Sequence, residues 1–143
     1  MEELLELKHL IQSGKYDDAL LLVEDLEEMG RKGLKSNIRS HAKILLLHLI
    51  KRRIEKRTTK SWDASIQNAA SEIRYLNQRE KGRGNYLSEE ELHDAISSAW
   101  SNAVVKASVE AAEGIFEARA IEQMVDREEV IETARQLIQS QEG

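Results

Sequence analysis

Two Glu-x-x-His pairs, Glu6–His9 and Glu90–His93, have the spacing that di-iron helical bundles use for their ligands. Such ligands must project into the bundle. At 100° per residue, Glu6 and His9 fall opposite the Leu4–Leu7–Ile11 face, and Glu90 points away from the Leu92–Ala99 face, so no metal site is expected. His41 and His48 share one side of a helix, but seven residues separate them by about 10 Å of rise, too far to hold one ion. Each reads as a boundary or core histidine with its hydrogen bond satisfied. Ser40-x-x-Lys43 has the spacing of one acyl-enzyme class but stands in mid-helix without the companion motifs. Gly82-Arg83-Gly84 lacks the strand-to-helix setting of a phosphate loop. Trp62 and Trp100 suit helix packing better than ligand stacking. With no cysteine there is no thiol nucleophile, disulfide or Cys-based zinc site. The expectation is a protein without catalytic residues, metal or cofactor.

The elements that would carry these residues are helical. There is no proline in 143 residues, glycine is sparse, aromatic residues are only 4%, and strand-like alternation is absent, so the fold class is all-α. The length suits one domain with a real core. Leu4, Leu7, Leu10 and Ile11 predict a first helix over about residues 2–13, and Gly14-Lys15 a turn. A second helix, about 16–29, is expected to bury Leu20, Val23 and Leu26. Residues 13–20 look like the turn of a tetratricopeptide hairpin, but no second copy follows, so the pair is read as one ordinary helical hairpin. Gly30 and Gly33 are expected to turn the chain into a third, central helix over about 34–57. Leu34, Ile38, Leu45 and Leu49 share one of its faces, and Leu46, Leu47 and Ile50 look elsewhere, the pattern of a helix surrounded by neighbours.

Ser61 is expected to cap a fourth helix to about Arg79, with Trp62, Ile66, Ala69, Ile73 and Leu76 inward. A polar loop, 81–86, follows. Ser88 with Glu91 forms a capping box opening a fifth helix, which carries Ala95, Ala99, Ala103, Ala107 and Ala111 at four-residue spacing. Unbroken to Met124 it would reach on the order of 55 Å, so it either breaks near Gly114 or overhangs. An overhanging ridge of small residues would pair with a second copy, and a homodimer through these five alanines is expected. Asp126 with Glu129 caps a last helix to about Gln139. Five to six helices are therefore expected, with a central basic helix and a long alanine-ridged one, in a single domain over residues 1–143.

Charge is distributed unevenly. Residues 1–30 carry two basic and nine acidic side chains, a net of −7. Residues 31–60 carry eleven basic residues against Glu55, a net of +10, and residues 61–143 carry eight against sixteen, a net of −8. One use of Arg39, Lys51, Arg53, Lys56 and Arg57 is a patch for phosphates or an acidic partner. The other is internal: cations at a helix C-terminus complement the macrodipole, and acidic helices can dock against a basic one. The basic segment itself lacks aromatic residues that would stack on bases, so nucleic acid is not favoured.

The stretches Val23–Gly30, Leu45–Lys51, Lys60–Ile66 and Glu72–Leu76 together resemble domain-of-unknown-function family twenty-nine, small helical bacterial proteins abundant in cyanobacteria. An acidic helix ending in Met29-Gly30, a Leu46-Leu47-His48-Leu49 helix and a Ser61-Trp62 start carry the resemblance, over about residues 17–105. Arg52 stands where the family more often has an aromatic residue, and residues 106–143 read as a C-terminal helical extension. The resemblance implies an all-helical fold and no known activity or cofactor.

Met1-Glu2-Glu3 has the wrong charge for a signal peptide, and the most apolar run, 44–50, is far short of the roughly 20 residues of a membrane span. A cytoplasmic location without membrane attachment is expected. The leading functional expectation is a non-enzymatic helical interaction module that self-associates and binds an unidentified protein partner. Nucleic-acid or polyanion binding through residues 31–60 is the alternative.

Overall fold

The computed structural model describes residues 2–139 and is all-α among them, with seven α-helices, two short 3-10 turns and no strand beyond one isolated bridge, Gln78 to Asn85. Contacts gather the chain into two compact units, Met1–Leu34 and Lys35–Gly143.

In the first unit, α1 (Glu2–Gln12) meets the start of α2 (Tyr16–Glu55) across a Schellman turn. Lys15 N–H donates to Leu10 O at 2.9 Å and Gly14 N–H to Ile11 O at 3.1 Å, with Gly14 at φ +74°, where only glycine avoids a steric penalty. Gly30 and Gly33 do not turn the chain as expected: α2 runs through both. Neither adopts positive φ, and two glycines cost a helix only about 2 kcal/mol relative to alanine, too little to end one that meets no proline.

The second unit is a bundle. It contains the remainder of α2 with α3 (Lys60–Asn77), α4 (Glu89–Ser97), α5 (Trp100–Glu110), α6 (Ala118–Met124) and α7 (Arg127–Gln139). Helix α7 packs on α3 and α4, and α5 on α6. Ile38, Ala42, Leu45, Leu46, Leu47, Leu49 and Ile50 of α2 are buried on several sides at once, as their spacing requires of a central helix. Around them lie Ile66 and Ile73 of α3, Ile96 of α4, Ile121 of α6 and Val130 and Ile131 of α7, so the C-terminal helices form part of the core.

Local chemistry sets the ends. Thr59, not Ser61, caps α3: its Oγ1 accepts the Trp62 N–H at 3.0 Å, the third helical position, while Ser61 falls inside the first turn. The capping box at Ser88 and Glu91 is complete, with bonds of 3.1 and 3.0 Å. Asp126 Oδ1 accepts the Glu129 N–H at 3.3 Å at the start of α7.

The expected long fifth helix is divided into α4, α5 and α6. It first yields at Ser97-Ser98, where Ser98 Oγ donates to Ala95 O at 2.7 Å and tightens the turn. It stops after Glu110, where Ala112, Glu113 and Gly114 take φ of 48°, 58° and 76° in succession. The break near Gly114 is thus the alternative adopted. A Cβ at Gly114 would stand 3.1 Å from Val109 O, so the turn is crowded as well as left-handed.

Candidate interaction surfaces

The basic cluster at the end of α2 is half engaged by its own chain. Lys51 Nζ, buried, lies 3.1 Å from Glu110 Oε1 and 4.7 Å from the centre of the Trp62 ring. Arg53 donates to Glu129 Oε1 from Nη2 at 2.9 Å and from Nε at 3.3 Å. The Arg57 guanidinium pairs with Glu55 at 2.8 Å and lies 4.8 Å from the centre of the same Trp62 ring. Lys35 is 3.8 Å from Glu91. Arg39, Arg52, Lys56 and Lys60 remain exposed and carry no ion pair among the described residues. Of the five basic residues singled out from sequence, then, Lys51 and Arg53 pair with acids 59 and 76 residues away, Arg57 pairs locally with Glu55 beside the Trp62 ring, and Arg39 and Lys56 face water. Sequence reasoning missed Trp62 as the ring joining Lys51 to Arg57. The signal was present, since Trp62 lies just beyond the basic run.

Glu55 connects this end of α2 to the break after α5. Its Oε2 accepts the backbone N–H of Ala112 at 2.9 Å, and that bond, assisted by Arg57, holds the Glu55 carboxyl below the ordinary carboxylate range. A backbone amide released by the left-handed turn is thereby satisfied.

The alanine ridge lies inside. Ala95, Ala99, Ala103, Ala107 and Ala111 are all buried within the second unit, so the neighbour that their small size admits is the chain's own bundle. They are not a free surface for self-association. What α5 does expose is Val105 and Val109, one helical turn apart, which with Ile44 and Leu47 of α2 line an open groove of about 620 Å³. Lys43, Lys106 and Glu110 supply charges of both signs around it.

The histidines are placed apart. His48 Nδ1–H donates to Ile44 O at 3.0 Å, and His93 lies 3.5 Å from Glu128 and 3.8 Å from Asp94. Among the described residues no three potential ligands gather around one point, and no helix is long and apolar enough to cross a membrane.

The first unit presents a different surface. Ala19 is the one buried side chain among its described residues. Leu7, Leu10, Leu22, Val23 and Leu26 are half-buried, whereas Leu4, Leu5, Ile11, Tyr16, Leu20, Leu21 and Met29 are exposed. Leu20, expected inward, is 60% exposed. An eleven-residue helix such as α1 is marginal by itself, and each leucine left in water forgoes about 2 kcal/mol of burial. The apolar faces read from the sequence are therefore real, but they lack a cover.

No curated protein and no solved structure matches the chain. The four stretches quoted from the sequence do have a counterpart, because the model of one protein family aligns with most of the chain, beyond those stretches at both ends. That match spans residues 6–130, and this protein belongs to the family described as Domain of unknown function DUF29.

Proposed function

We propose that the protein is a non-enzymatic helical interaction module that takes a protein partner on its N-terminal hairpin and associates with a second copy through its bundle. The observation that carries the first half is the hairpin's apolar surface, seven large side chains exposed against a single buried alanine. So many large apolar side chains exposed on two short stretches of helix are what an interaction site presents. Self-association belongs on the groove between α2 and α5. Ile44, Val105 and Val109 are exposed there, and a rim carrying Lys43, Lys106 and Glu110 can face its own twofold copy without like charges meeting throughout.

Polyanion binding through residues 31–60 is the weaker reading, because Lys51, Arg53 and Arg57 would have to leave Glu110, Glu129 and Glu55. It would fall to Arg39, Arg52, Lys56 and Lys60.

The test is a paired capture from nuclease-treated native lysate, wild type against a Leu20→Asp, Leu21→Asp variant, with sedimentation of both proteins. A discrete protein held by the wild type and lost by the variant supports the hairpin as the partner surface. Identical captures by both overturn it. A dimer that Val105→Glu, Val109→Glu dissociates supports the groove, and a wild type that stays monomeric at tens of micromolar removes self-association.

A further inference from the structure

The hairpin's charge indicates what kind of partner fits it. Nine acidic residues stand against two lysines in residues 1–30, and all nine acids are exposed. On α2 they surround the uncovered leucines. Leu21 has Asp17 one turn before it, Glu24 and Asp25 one turn beyond and Glu28 two turns beyond, all on its side of the helix. Leu20 has Asp17, Glu24 and Glu27 in the same relation. Tyr16 extends the Leu20 side by one turn, and α1 contributes exposed Leu4, Leu5 and Ile11.

We infer that the N-terminal hairpin is a docking surface for a basic amphipathic helix of a partner protein, an inference that rests on the hairpin being the partner surface. A leucine face on the incoming helix would cover Leu20 and Leu21, and lysines or arginines flanking that face would meet Asp17, Glu24, Asp25, Glu27 and Glu28. Other occupants fit less well. A second copy docking hairpin to hairpin brings two acidic surfaces together, and like charges across an interface are repelled. An anionic membrane or a nucleic acid meets the same repulsion. In another copy's α2, Lys51 and Arg53 are already engaged at home, which leaves Arg39 and Arg52 as a weaker match for this surface.

The chain contains no cysteine, so Leu21→Cys in the full-length protein gives one labelling site on this face. With an environment-sensitive fluorophore there, the protein is titrated with a Leu/Lys amphipathic peptide of about 18 residues, five helical turns. A Leu/Glu peptide of the same pattern and a Leu/Lys peptide of the same composition but scrambled order are the controls. The free protein should emit as a water-exposed dye. The amphipathic Leu/Lys peptide should shift the emission to the blue, compete with unlabelled wild type, and bind roughly tenfold or more tightly than either control. Its affinity should fall as salt rises from about 50 to about 500 mM, and Glu24→Lys, Asp25→Lys should weaken it roughly tenfold.

Equal binding of the scrambled or the Leu/Glu peptide, or affinity that rises with salt, overturns the basic helix while leaving the surface. A dye already shielded in the protein alone, at concentrations where it sediments as a monomer, overturns the surface itself. A dimer whose dye is shielded at low salt and released at high salt makes the occupant the basic segment of a second copy, and overturns the inference too.

Discussion

Glu55 accepts the backbone N–H of Ala112 at 2.9 Å, so the last residue of α2 closes the turn at which α5 stops. Residues 57 positions apart are joined by one carboxylate serving a main-chain donor that the left-handed turn leaves without a helical acceptor.

This bond makes stability depend on pH. The Glu55 carboxyl is held below its ordinary value of 4.5, first by the Ala112 N–H and then by Arg57, so its ionised form stabilises the fold. The contribution is complete above the unfolded value and is lost as pH falls through the lower, folded one. Glu55→Gln should cost about 1 kcal/mol in urea unfolding at pH 7. The difference from wild type should shrink below pH 4.5. A difference unchanged down to pH 3 would contradict the assignment.

Lys51 and Glu110 should respond unequally to substitution. The Lys51 side chain is 10% exposed and that of Glu110 35%, so losing the acid strands a buried cation, whereas losing the lysine leaves an acid that water can reach. Glu110→Ala should cost about 2 kcal/mol in equilibrium unfolding, and Lys51→Met, which keeps an aliphatic chain beside the Trp62 ring, less than about 1 kcal/mol. Equal losses would mean that the ring, not the carboxylate, holds the ammonium.

Ala107→Leu distinguishes a core ridge from an interface ridge. Ala107 is fully buried in the bundle, and a larger side chain there should overpack it, at about 2 kcal/mol, lowering the thermal midpoint. The sedimenting mass should not change. Loss of a dimer with the thermal midpoint preserved would place the ridge between copies after all.

Lys56 follows the last residue of α2 with φ of 55°, a conformation suited to glycine. Lys56→Gly should stabilise the protein by about 1 kcal/mol in thermal unfolding, and a loss of stability would show that this lysine makes a contact outweighing its strain.

Much of the architecture was legible because its determinants are local. Ser88 with Glu91, Asp126 with Glu129 and Gly14 each act within one turn of helix, and each does in the structure what its spacing implies. Thr59 caps α3 in place of Ser61, two residues further on, because its hydroxyl is the one that meets the Trp62 N–H. Gly30 and Gly33 misled because glycine permits a turn without requiring one. The alanine spacing specified a face that admits a close neighbour but not whose neighbour it is. The charge pattern likewise gave the signs but not the pairing, since Lys51 to Glu110 and Arg53 to Glu129 span 59 and 76 residues. The uncovered hairpin was the least legible surface, because a helical period shows where the apolar side chains stand and is silent on whether anything lies over them.

The loop between α3 and α4 is fastened at its base by a single side chain and its own carbonyl. Asn77, buried at the end of α3, accepts the Leu87 N–H at its side-chain oxygen and the Tyr86 N–H at its main-chain oxygen, both at 2.8 Å, and Arg79 N–H donates to Gly84 O at 2.8 Å. All three bonds bridge the exposed tip at Lys81, Gly82 and Arg83, so a cut at the tip leaves the base of the loop tied. Trypsin cutting after Lys81 would yield two fragments that remain one folded particle, held by Asn77 at the base and by α7 against α3 below it.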